Sequence, residues 1–126
     1  MNEVIQNSWY WLLLISLLGG TISGALGVGS GILIIPALVL GLGFPQKAAQ
    51  GICLAVMVPM AFMGAYRYYI NPDIKISLSV IFIMIPLAVV GAYIGAQIAA
   101  WLPAVVLKRS FGVFIIIVGA RMAFMK

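Results

Sequence analysis

Histidine is absent, cysteine occurs once, and only two of the 126 residues are acidic. Each shortage removes a class of chemistry. Without histidine, and with Cys53 alone in an apolar run, one chain can build neither a zinc site nor a thiol–imidazole pair. A single cysteine closes no intrachain disulfide and says nothing about redox compartment. The two acids, Glu3 and Asp73, both lie outside the long apolar runs. No carboxylate is therefore placed to relay protons inside a span or to perform acid–base catalysis. The expectation is a protein that is not an enzyme and needs no cofactor or metal. The seven basic residues are scattered, which argues against a nucleic-acid surface.

Charge of either sign is scarce, at 7% of residues, while hydrophobic residues reach 65%. A soluble domain carries roughly 25% charge, and a chain this small cannot hide so much apolar surface from water. Lipid is the solvent that suits it. No charge occurs from Val4 to Gln46, from Ala48 to Tyr66, or from Ile76 to Leu107. Each gap is long enough for a span of about 20 residues. The basic residues fall at segment ends, where they anchor to headgroups. The N-terminus lacks the basic region of a cleavable signal, and its apolar run is too long for one, so we expect it to be retained.

Aromatic residues and prolines mark the boundaries. Trp9, Tyr10 and Trp11 form an interfacial belt before one run; Tyr66, Tyr68 and Tyr69 close another, and Trp101 a third. Pro45 and Pro103 suit the first turn of a following helix, and Asn71-Pro72-Asp73 reads as a turn. Four hydrophobic units result, at 9–43, about 46–70, about 75–101 and about 104–125. Strand-and-turn alternation is missing, so all are expected to be helical. The predicted fold is a single all-α transmembrane domain over residues 1–126.

The first unit is too long. As one helix it would extend about 52 Å against a hydrocarbon core of about 30 Å. The sequence supplies a break at Gly27-Val28-Gly29-Ser30-Gly31, where alternating glycines oppose helix continuity. One helix is expected to about residue 26, then a bend, then a shorter helix from about 31 to 42. That second piece is either re-entrant or a short, tilted span. If the later units alternate, Lys47, Lys108 and Arg109 share one side, and Arg67, Lys75, Arg121 and Lys126 the other. This split is too even to give an orientation, and insertion both ways is one meaning of it.

The glycine bend is the leading candidate site. An interrupted helix exposes backbone N–H donors that favour an anion, and broken helices near the midplane build transporter sites. The competing reading is close helix packing, since Gly20 and Gly24, Gly27 and Gly31, and Gly91 and Gly95 have small-xxx-small spacing. Gln50, Gly51 and Cys53 lie in the first turns of the second unit and can converge on the bend. Pro36, Pro59 and Pro86 fall mid-helix, where each removes a backbone hydrogen bond. They are candidate kinks or gating points. Tyr93 and Gln97 share a helix face.

Four separated stretches carry a family resemblance. Ile22 to Pro36 resembles the glycine-rich signature of the TauE/SafE sulfite exporter family. Ala49-Gln50-Gly51-Ile52-Cys53-Leu54-Ala55-Val56 resembles its second motif, Gly91-Ala92-Tyr93-Ile94-Gly95-Ala96 its later glycine pair, and Leu107-Lys108-Arg109-Ser110-Phe111-Gly112 the motif opening its last helix. The resemblance implies a multi-pass protein of the bacterial inner membrane that moves sulfite, sulfonates or related small anions, usually outward. Family members usually hold two such units, so it also implies a homodimer that rebuilds them. The implied substrate-binding positions are Gly27, Gly29, Ser30, Gly31, Gln50, Gly51 and Cys53. Two departures bear on the ligand: Ser30 stands where the family often has a third glycine, and Ile52-Cys53 where it often has Thr-Ser. A non-transporting membrane assembly subunit, or a passive channel for a small neutral solute, are the competing expectations.

Overall fold

The computed structural model describes residues 2–27 and 29–125. All its regular structure is helical: α1 (Asn2–Leu26), α2 (Gly31–Pro36) continuing into a π-helical segment (Ala37–Gly41), α3 (Gln46–Tyr69), α4 (Leu78–Trp101) and α5 (Ala104–Phe124). Three of these are long and apolar enough to cross a bilayer: Gln6–Leu26 of α1, α3 and α4. The fold is thus the expected membrane helical bundle with a discontinuous first unit.

The break falls where the glycines put it. α1 ends at Leu26, and Gly27 and Gly29 take φ of +66° and +80°, which side chains with a Cβ rarely adopt. α1 also starts earlier than the aromatic belt. It begins at Asn2 and bends at Ser8 (φ −131°, ψ 17°), directly before Trp9. Pro45 and Pro103 precede α3 and α4's successor α5 as caps, with ψ of 141° and 143°, instead of entering the first turn. Their extended ψ turns the chain into each helix.

Pro36 lacks the N–H that would bond back to Ile32, and the helix widens into the π segment directly after it. Gly43, at φ +71°, and a bond from the Phe44 N–H to the Leu38 carbonyl (3.0 Å) then end the element. Pro59 and Pro86 behave differently. α3 and α4 run through them unbroken.

Contacts fix the helix directions. Met60 Sδ lies 3.7 Å from where a Cβ on Gly20 would be, and the Tyr68 hydroxyl donates to the Gly24 carbonyl at 2.9 Å. Higher numbers on α1 meet higher numbers on α3, so the two helices are parallel. The chain between them therefore comes back, through the bend, α2 and the π segment, toward the side where α3 begins. The six residues of α2 and five of the π segment cover about 16 Å. Lys47 donates to the Ala100 carbonyl at 2.7 Å, which sets the end of α4 beside the start of α3. α5 returns beside α1: Phe114, Val118 and Met122 share a cavity with Gly19, Ile22 and Leu26. We call the side where α3 begins the near face and the side where it ends the far face.

The core is small and lies toward the near face. Ile34, Ile35, Leu38, Phe44, Ala49 and Cys53 are buried, with Leu12, Ile15, Met57 and Phe111 packed around them. Gly19 permits the approach, since a Cβ there would lie 2.8 Å from Ile34 Cγ1. α4 and α5 bury no residue.

Candidate functional site: two cavities at the glycine bend

α3 is the spine of the site. Its stripe Gln46, Gln50, Cys53, Met57 recurs at helical spacing and faces α2. Opposite it stand the glycines. Gly31 faces the Cys53 thiol, and Gly29 lies against the Met57 methyl, 3.4 Å from its own virtual Cβ. Ser30 is buried between them, its hydroxyl 3.5 Å from Cys53 Sγ. Its carbonyl accepts from the Leu33 and Ile34 N–H groups and starts α2.

The cavity shared by α1 and α5, about 260 Å³, also reaches Gly29, and two more flank this layer along α3. The larger, about 510 Å³, begins at the near face with Lys47, Ala99 and Ala100. It deepens past Gln50, Gly51, Cys53 and Gly95 to Met57 and Ala92, with Gly31 and Ile35 of α2 as one wall. The smaller, about 250 Å³, begins at the far face with Tyr68 and Gly24 and reaches Gly27, Gly29 and Met57. Met57 borders both. The thioether and the glycine bend therefore form the partition between a near and a far vestibule.

The candidate residues divide accordingly. Gly31, Gln50, Gly51 and Cys53 line the near cavity, and Gly27 and Gly29 the far one. Ser30 sits within the partition and lines neither. Pro36, Pro59 and Pro86 line neither cavity. Tyr93 and Gln97 do share a face, but they bond to each other (3.2 Å) on the exposed side of α4.

Three residues join the candidates. Lys47 is the one charged side chain lining either of these cavities, and neither acid of the sequence lines them. One of its ammonium protons goes to Ala100, at the C-terminal end of α4, where free carbonyls and the helix dipole attract a cation. Gln46 is 5% exposed, and its Nε2 has no hydrogen-bond partner among the described residues. A buried amide donor without an acceptor is costly. Met57 is the third. A lysine at a span end reads as a headgroup anchor, and a methionine in an apolar helix as packing, so spacing alone marks neither.

Chemically, the near vestibule offers an ammonium, an amide and a thiol in an otherwise apolar wall. That combination favours a small anion over a cation. A family model described as sulfite exporter TauE/SafE matches residues 11–126. The chain belongs to the TauE/SafE family. This makes it a membrane protein of a transporter family, and both vestibules lie within the matched residues of this TauE/SafE chain. No curated protein and no solved structure matches it.

Proposed function

We propose that the chain exports small oxyanions, sulfite or short organosulfonates, across the bacterial inner membrane, and that it acts as a homodimer. One observation carries this reading beyond family membership: two vestibules, reached from opposite ends of α3, meet at Met57 and the glycine bend. Such a partition is what alternating access requires. Lys47 at the near mouth favours negative charge, and Gln50 supplies an amide donor deeper in. The thiol of Cys53 is a weak donor. Binding near the bend thus rests on Gln50 and on backbone N–H groups around Gly29, Ser30 and Gly31.

The dimer reading draws support from α4 and α5. Helices that bury nothing within one protomer have faces free for a second copy. The test is flux from proteoliposomes loaded with sulfite or methanesulfonate. Saturable efflux above that of empty liposomes is expected. Efflux no faster than the empty-liposome leak for either anion would remove the substrate class.

A further inference from the structure

We propose that the near vestibule is a site for amphipathic organic monoanions, sulfonates with an unbranched alkyl tail, and that it holds them better than an inorganic oxyanion. The proposal rests on the anion-transport reading above and narrows its substrate class.

The first observation is how polarity is arranged. Lys47, Gln50 and Cys53 all belong to α3 and follow one another at three-residue intervals, so they form one polar stripe from the mouth inward. The rest of the lining carries no polar side chain. Ala92, Gly95, Ala96 and Ala99 come from α4, and Ile35 and Phe111 lie beside them. An inorganic oxyanion presents acceptor oxygens on every side and would meet side-chain donors on one side only. Stripping water from the remaining oxygens without new hydrogen bonds is costly. A sulfonate with a tail turns its oxygens to α3 and its carbons to α4.

The second observation is charge. Lys47 is the one charged side chain of this lining. Its ammonium carries three protons, and one goes to the Ala100 carbonyl at 2.7 Å. The others are free for a head group at the mouth. One ammonium balances one negative charge. A dianion would leave a net charge in apolar surroundings.

The third observation is room. The cavity holds about 510 Å³ and runs from Lys47 to Met57, about 15 Å of helix. Gly51 and Gly95 both border open space, since a Cβ on either would meet nothing within 4 Å. Cavities of several hundred Å³, lined by apolar groups with a few placed polar ones, suit organic ligands. Met57, a flexible apolar side chain, closes the inner end and suits the tip of a tail. An anionic lipid shares this chemistry, a negative head on an alkyl chain, and one arm of the test separates it from a soluble ligand.

Occupancy is measured by thiol protection. In a Cys53→Ala background, Ala96→Cys places one thiol in the apolar wall, and N-ethylmaleimide alkylates it in phosphatidylcholine proteoliposomes. From methane- through butane- to hexanesulfonate, the half-protecting concentration should fall about fourfold per methylene. Hexanol has the tail without the charge, and sulfate the charge without the tail. Each should protect at least about tenfold less well than hexanesulfonate. Adding Gly95→Leu should flatten the series, although the sulfonates partition into lipid as before. Adding Lys47→Gln should remove the advantage of hexanesulfonate over hexanol. Equal protection by methane- and hexanesulfonate, or by hexanol and hexanesulfonate, overturns the proposal. Phosphatidylglycerol in the vesicles, at high salt to screen surface charge, should leave the series intact. Loss of protection there would assign the site to lipid and overturn a soluble ligand. Chain-length-dependent protection without efflux of any sulfonate would count against transport and leave this site standing. Sulfite efflux with a flat series would do the reverse.

Discussion

At the residue scale the bend makes its glycines non-equivalent. Gly27 and Gly29 both sit at positive φ, and alanine at such a position costs about 1–2 kcal/mol. Only Gly29 also touches the partition, since nothing lies within 4 Å of a Cβ on Gly27, whereas a Cβ on Gly29 meets the Met57 methyl. Gly27→Ala and Gly29→Ala should therefore lower stability in detergent by similar amounts, about 1–2 kcal/mol each. Sulfite flux should fall further in Gly29→Ala, because its methyl packs in van der Waals contact against Met57 and fills space at the partition. Equal flux in the two variants would remove Met57 from the pathway. Lys47 gives a second prediction. A hydrogen bond to a charged group contributes roughly 1.5–3 kcal/mol, so Lys47→Gln should raise the KM for sulfite about tenfold or more. Lys47→Arg, which keeps the charge, should restore most of it. Unchanged KM in Lys47→Gln would return this residue to headgroup anchoring.

These residues also mark what could be read without the structure. The bend was legible because two independent signals coincide there: a unit too long for the bilayer and glycines at alternate positions. Lys47 was not legible as a cavity residue. Its place depends on the end of α4, 53 positions away, landing beside the first turn of α3. Met57 is one of seven methionines, and no spacing distinguishes it. Gln46 looks like an ordinary polar residue before a span until its burial is known.

At the element scale the question is what α4 is for. It is the most hydrophobic span and buries nothing within the protomer, yet Ala92, Gly95, Ala96, Ala99 and Ala100 wall the near cavity. Small residues there have two meanings, room for a substrate or room for another helix. Gly95 separates them, because nothing lies within 4 Å of a Cβ added to it. Gly95→Leu should not destabilise the protomer, since leucine is the better helix former by about 1 kcal/mol. It should abolish or strongly reduce flux by filling the cavity. Retained flux with loss of the crosslinked dimer in lipid would mean that this face packs helices. The boundaries of α3, α4 and α5 followed from charge gaps and prolines to within a few residues. The helix directions did not, because no local signal shows which way α3 runs relative to α1. The contacts of Gly20 and Gly24 with α3 decide it. Pro36 announced a disruption, but its form as a π segment depends on the packing of Leu38 and Phe44 in the core.

At the scale of the whole molecule, α4 and α5 bury no residue within the protomer, which leaves their apolar faces to lipid or to a second copy. Leu87 of α4 and Ile116 of α5 are among the large side chains left exposed. The homodimer proposed above predicts that a second copy covers part of these faces. In a Cys53→Ala background, Leu87→Cys or Ile116→Cys should then give an oxidised dimer in lipid for at least one position, with sulfite flux retained in the uncrosslinked protein. Monomer at both positions would leave these faces to lipid and remove α4 and α5 as the dimer interface.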